Sequence, residues 1–281
     1  MRSENFLVVG AHGNVGSEVV AALLARGHHV VAPVRRPGRS LPPGATSIVA
    51  DIADPTTLGI DLAAIQGMFV MAGHRGLTRL LRLAREHNVR HAVLLSAAAA
   101  EHRTHDNALT SYHLRAEEAV AESGLNWTFL RPQSFCSNAL RWVPEINSGG
   151  DVRLPFPDLA VACVDPRDLG EIAALALTEP GHAGNAYRVT GPEALLPAEQ
   201  LATVSTQTGI PLRGVPLNDQ DTRAHLLRDN PEPIVNAFFA LYRRGGLDES
   251  MLTRTVSDLL GRAPGSFADW VTRHRERFTH G

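Results

Sequence analysis

With 281 residues, 44% of them hydrophobic, the chain is long enough to bury a substantial core as one large domain or two closely joined ones. A formal charge of −2 gives no field that would draw nucleic acid or an anionic membrane, and no apolar run approaches the ~20 residues needed to cross a bilayer. Two cysteines, Cys136 and Cys163, are too few for a disulfide scaffold, and the opening residues lack a charged-then-apolar leader pattern, so a reducing, cytoplasmic setting is expected.

Residues 6–9 are an apolar run that stops at glycines with the spacing Gly10-x-x-Gly13-x-x-Gly16. From Val15 the apolar residues recur at helical spacing (Val15, Val19, Leu23) until Gly27, and a second apolar run fills 30–34. Strand, glycine turn, helix, strand is the context in which such a turn binds a dinucleotide. Glycine has no Cβ, so a pyrophosphate can reach main-chain N–H groups, and a helix starting near Asn14 aims the positive end of its dipole at the anion. Gly10, His12, Gly13, Asn14 and Val15 are the expected contacts. An NAD site usually has an acid at the end of the second strand, where this chain has Arg35 and Arg36. Their planar forks of donors suit the extra phosphate of NADP(H), the competing reading being two solubilising arginines ahead of Pro37.

Residues 8–37, VVGAHGNVGSEVVAALLARGHHVVAPVRRP, resemble the opening of the NmrA-like atypical short-chain dehydrogenases/reductases. The likeness continues through VADIADPTTL, HAVLLSAAAA, AEEAVAESGLNWTFLRPQSF and GHAGNAYRVTGPEAL, to about Leu217. It implies an α/β fold, a doubly wound parallel sheet of Rossmann-like type. An NADP-binding domain over 1–135 would be followed over 136–281 by a smaller, mostly helical substrate-binding region that returns strands to the sheet.

Past a proline- and glycine-rich loop at 37–44, residues 47–50 read as a short buried strand ending at Asp51 and Ile52. The resemblance sets this pair near the adenine amine, while Asp51 is equally suited to capping a turn. The fourth strand, 68–71, leads into Ala72 and Gly73, small enough for the backbone to run along the cofactor beyond the strand ends. His74 and Arg75 read as a solvated loop, and Leu77, Leu80, Leu81 and Ala84 as one helix face. The fifth strand, 91–95, ends at Ser96. The resemblance implies that this serine holds the substrate carbonyl beside the nicotinamide, and the plainer reading is a hydroxyl terminating a strand. His102, His105 and Asp106 sit in a polar loop at 97–110, but without metal-ligand spacing no metal is expected.

A helix over 110–123 should bring the catalytic groups. Counting back from Gly124, the family's active-site lysine position holds His113, and its tyrosine position, four earlier, holds Leu109. All 27 basic residues are in fact arginine, so no lysine base, Schiff base or Tyr-x-x-x-Lys pair exists in the chain. His113 would donate a proton or orient the cofactor ribose; Tyr112, about 100° away around the helix, is a poorer donor; water or the substrate's own hydroxyl is the third option. A helix-surface histidine is the bland alternative.

A sixth strand, 127–130, leads to Arg131, Pro132, Gln133, Ser134 and Phe135. The resemblance lays Pro132, Ser134 and Phe135 against the nicotinamide, where dryness favours hydride transfer. Beyond lie an expected strand at 160–164, Asp165 capping a helix at 166–177, a strand at 187–190, and helices at 197–208, 219–227, 232–242, 249–260 and 267–278. Phe238, Phe239, Leu241 and Tyr242 are either ordinary core or a lid over a flat, bulky substrate. The function implied is NADPH-dependent reduction of a carbonyl on a bulky aromatic polyketide, as in an antibiotic pathway. The alternatives are a quinone reductase and a non-catalytic NADP sensor that binds a protein partner. A monomer or homodimer is expected, with no nucleic-acid or membrane partner.

Overall fold

Consecutive residues in the apolar runs are buried: Phe6, Leu7 and Val8; Met68, Phe69 and Val70; Ala92, Val93 and Leu94. Strands hidden on both faces belong to a parallel sheet covered by helices. The computed structural model, which describes residues 3–36, 40–103, 105–244 and 246–279, has that arrangement. Residues 37–39 of the expected loop lie outside the described residues. The chain runs β1 (Asn5–Val8), α1 (Gly16–Ala25), β2 (His29–Val34), β3 (Ala45–Val49), β4 (Ile65–Met71), α2 (Leu77–Glu86), β5 (His91–Leu95), α3 (Ala108–Ala121) and β6 (Asn126–Pro132). It continues through α4 (Val143–Asn147), β7 (Val152–Leu154), α5 (Pro166–Thr178), β8 (Asn185–Val189), α6 (Pro197–Thr208), β9 (Gly214–Pro216), α7 (Asp219–Leu226), α8 (Glu232–Arg243), α9 (Thr255–Leu260), α10 (Phe267–Arg273) and α11 (Glu276–Thr279).

Seven strands form one sheet in the order β3-β2-β1-β4-β5-β6-β8, and β1 to β6 pair in parallel. This is the doubly wound fold. The order reverses between β1 and β4, so the turns that follow these two strands flank the crevice at the carboxyl edge where such folds take ligands. Two compact units are distinguished: residues 1–105, 110–132 and 166–188 carry the large sheet, and residues 106–109, 133–165 and 189–281 form the second. The second unit has its own parallel pair, β7 with β9, and a core that includes Val152, Leu154, Val204, Phe267, Trp270 and Phe278.

Several expected elements differ, among them the third strand, expected buried at 47–50 but found as β3 with Val49 exposed. Residues 160–164 form no strand, only single bridges at Val161 and Val164. Their N–H groups go to three different neighbours, Val161 to Leu195 O, Ala162 to Glu249 O and Val164 to Ser134 O, so no ladder can propagate. The helix expected at 249–260 starts only at Thr255, because Asp248 caps the Ser250 N–H at 2.9 Å and Thr190 Oγ1 takes the Thr253 N–H at 2.9 Å. The closing helix is broken into α10 and α11 at His274, whose Nδ1 lies 2.8 Å from the Trp270 carbonyl that the helix would otherwise use alone. α3 begins at Ala108, two residues early, and a 3-10 turn, Ala98–His102, occupies part of the expected loop.

His91, on β5, is largely buried, with Nε2 2.9 Å from Thr128 Oγ1; burial, then the field of His182, pushes its pKa down to about 4. Because the folded value lies below the unfolded one of about 6.5, the unfolded chain takes up the proton first and stability falls as pH drops from about 6.5 towards 4. Urea midpoints across that range are expected to record a loss of roughly 2 kcal/mol from this residue, and a His91→Gln variant should show a flatter profile.

Candidate active site

The turn after β1 is shaped by what cannot fit in it. A Cβ at Gly16 would lie 2.1 Å from the Gly10 carbonyl oxygen, and Gly10 itself has φ +74° with Met71 Cε 2.9 Å from where its Cβ would be. The Gly13 N–H closes the turn on Gly10 O at 2.8 Å, and α1 then starts at Gly16, two residues later than expected. Its N-cap, Val15, offers no side-chain hydrogen bond. The Ser17 N–H returns to Gly13 O at 3.0 Å, and the positive end of the α1 dipole behind this exposed turn suits a phosphate. His12, Gly13 and Asn14 are exposed on the turn and Val15 is buried beneath it.

Arg35 and Arg36, just beyond β2, are exposed. Burial, then the charge of Arg35, lowers the pKa of the half-buried His74 imidazole, while Asp51 opposes them; these three groups therefore share one local field. Asp51 performs the turn role: its Oδ1 accepts from Ala53 N–H at 2.9 Å, while Ile52 is buried in the core. Ala72 and Gly73 follow β4, Gly73 at φ +85°. The Tyr112 hydroxyl donates to Ala72 O at 2.9 Å and lies 1.8 Å from where a Gly73 Cβ would stand, so only glycine lets the tyrosine lie there. Tyr112 thus spends its proton on the backbone.

The middle of the site is a buried network on α3. Ser96, 2% exposed at the end of β5, donates its hydroxyl to Glu117 Oε1 at 2.6 Å. Arg131 grips the same carboxylate with two donors, Nε to Oε1 at 2.9 Å and a terminal nitrogen to Oε2 at 2.6 Å. The Ser96 proton is therefore committed to Glu117, and is not free for a substrate carbonyl in this arrangement. Glu117 was not among the expected site residues. Its signal is its spacing, four residues after His113 and hence on the same helix face, beside the buried Ala116 and Val120. His113 is largely buried, its Nδ1 sealed from solvent without a partner. Burial drives its pKa to about 4 against the opposing pull of Glu117, so at neutral pH the ring is uncharged and is no imidazolium donor. An orphaned ring nitrogen and a turn that excludes side chains both fit a bound dinucleotide.

The sequence profile of the NAD(P)H-binding family matches residues 10–151. The chain belongs to that family. Over 279 residues it is 39% identical to a (4-alkanoyl-5-oxo-2,5-dihydrofuran-3-yl)methyl phosphate reductase of Streptomyces griseus, covering 97% of this chain and 98% of the relative. It is 31% identical to an NAD(P)H azoreductase of Xenophilus azovorans, again over 97% and 98%. Among solved structures, the NADPH complex of an Escherichia coli NADPH-dependent quinone oxidoreductase superposes with a TM-score of 0.76 over 96% of this chain and 99% of that one, at 21% identity. These are atypical short-chain reductases, and this NAD(P)H-binding protein is one of the same NmrA-like kind.

In the first unit of this reductase-family protein, Pro132 is buried at the end of β6. Ser134 and Phe135 belong to the second unit, half-buried, with Phe135 bridged to Val164. There too, Leu241 is core while Phe238, Phe239 and Tyr242 are half-buried around Phe156, whose ring stands edge-on to Phe239 and Tyr242 at 5.1 and 5.3 Å. The aromatic group is thus partly core and partly open. His105 is held locally, Nδ1 to Ser111 Oγ at 3.3 Å and Nε2 to Glu118 at 3.1 Å, and among the described residues no cluster of three His, Cys, Asp or Glu side chains could hold a metal ion. Glu117→Ala would leave the largely buried Arg131 guanidinium unpaired and is expected to cost about 3 kcal/mol in urea unfolding, whereas Ser96→Ala should cost only about 1 kcal/mol.

Proposed function

We propose that the protein is an NADPH-dependent reductase whose acceptor is conjugated, such as an unsaturated furanone or a quinone, so that reduction needs no strong acid from the protein. The observation that carries this reading is the fate of every candidate donor. Leu109 has no proton to give, Tyr112 and Ser96 direct theirs to Ala72 and Glu117, and His113 is neutral. An isolated ketone becomes a strongly basic alkoxide and calls for an acid at once. A conjugated acceptor spreads the charge into an enolate or phenolate that water can protonate. The relatives support the same class, one named for an oxo-dihydrofuran phosphate and another for azo compounds.

The bound nicotinamide would supply hydride. On an unsaturated lactone the hydride joins the β carbon, the π pair moves to the carbonyl oxygen as enolate, and water returns a proton to the α carbon. Gly10, His12, Gly13, Asn14 and Val15 would hold the pyrophosphate, Arg35 and Arg36 the additional phosphate, Asp51 and Ile52 the adenine end. Ala72 and Gly73 would line the cofactor, His113 would orient the ribose, and Pro132, Ser134 and Phe135 would screen the nicotinamide. Ser96 is read as a positioning group, acting through Glu117. A flat aromatic polyketide ketone is the second reading, favoured by the half-buried Phe238, Phe239 and Tyr242.

NADPH oxidation followed with an unsaturated furanone, a set of quinones and a set of aromatic ketones tests this directly. Turnover of the first two classes, flat between about pH 6 and 8 because His113 titrates near 4, is expected. Tight NADP binding with no turnover of any acceptor would instead support a sensor. Replacing Arg35 and Arg36 by alanine should weaken NADPH binding about 10- to 100-fold and leave NADH binding unchanged.

A further inference from the structure

Residue 249, expected as the first of a helix, and its neighbour Asp248 are instead bonded to the turn that follows β6. Gln133 Nε2 donates to Asp248 O at 2.7 Å, and the Ser134 N–H donates to Glu249 Oε2 at 3.3 Å. Glu249 is only 4% exposed, and its main-chain carbonyl accepts from Ala162 N–H at 2.8 Å, so backbone and side chain are both fixed. The phenol of Tyr242, on α8, lies beside the same carboxylate, and burial, then the Glu249 charge, pushes its pKa up.

Tyr242 in turn stands edge-on to Phe156, a residue at φ +48°. That left-handed conformation costs a side-chain-bearing residue on the order of 1–2 kcal/mol. It is held by Arg243, whose guanidinium lies 5.2 Å from the Phe156 ring centroid and pairs with Asp158 and Asp219. Burying a carboxylate is costly, and a neutral acceptor would cap a single N–H more cheaply. A carboxylate holds two donors at once, each more strongly. Here one donor is the Ser134 N–H, and the hydroxyl of the aromatic helix lies beside the carboxylate.

We propose that Glu249 is a positioning residue: by accepting the Ser134 N–H while lying beside the Tyr242 hydroxyl, it fixes the turn at Ser134 and Phe135 next to the aromatic face of α8. The role in catalysis rests on the reading that Ser134 and Phe135 contact the cofactor. A flat acceptor bound against Phe239 and Tyr242 would then meet a turn already set by the side chain that orders the aromatic face.

Amide hydrogen exchange on the full-length protein, with steady-state kinetics alongside, tests the assignment. Glu249→Ala should speed exchange at Ser134 about tenfold and lower kcat by a similar factor, leaving exchange in the Gly10 to Gly16 turn unchanged. Glu249→Gln keeps one acceptor oxygen for the Ser134 N–H and should recover both quantities in part, to within about threefold of wild type. If Glu249→Ala does not fold, Tyr242→Phe carries the test, with Ser134 exchange about threefold faster and a raised KM for flat acceptors. Unchanged Ser134 exchange in whichever of these two variants is measured, or a Glu249→Gln variant as impaired as Glu249→Ala, overturns the proposal. A wild-type protein that reduces no acceptor would sink the functional reading, while the exchange data would still decide whether Glu249 holds the turn.

Discussion

The approach of residue 16 to the Gly10 carbonyl is the constraint on which the rest depends. With 2.1 Å between that oxygen and the place of a Cβ, the first crossover can turn only on bare backbone. The helix must then begin inside the turn, without a side-chain cap, and its positive end faces the crevice opened by the reversal of strand order between β1 and β4. One steric limit thereby fixes the path of the first turn and the direction of α1.

A second constraint concerns protons. The chain has no lysine, and the hydroxyl and imidazole groups of α3 and the end of β5 that could carry a proton are each constrained. Burial keeps His113 neutral, the Gly73 turn absorbs the Tyr112 hydroxyl, and Glu117, neutralised by Arg131, absorbs the Ser96 hydroxyl. Each hydroxyl stiffens the scaffold by donating its hydrogen bond within it. A site built in this way suits acceptors that stabilise their own negative charge.

The large sheet was legible because continuous apolar runs, bounded by glycines and polar turns, are a local signal, and six parallel strands follow from it. The glycine turn was legible for the same reason. What the sequence hid are places where partners are distant. At 160–164 the pattern reads as a strand, yet its N–H groups bond to Ser134, Leu195 and Glu249. Residues 249–254 have helical composition, yet Thr190, far along the chain, takes one of their N–H groups. Glu117 and Glu249 look like ordinary surface acids in a helix or turn, and only the fold reveals that both are buried against specific donors. Burial lowers the His113 pKa to about 4, which a helical position alone does not disclose.

The central claim, that hydride moves to a self-stabilising acceptor without help from a protein acid, is tested most directly by comparing isotope effects on turnover of an unsaturated furanone or quinone. A primary effect from NADPH deuterated at the transferred position, with little or no effect from heavy water, is the result this account requires. A solvent effect as large as the primary one, with a rate that falls as a group near neutrality loses its proton, would contradict it.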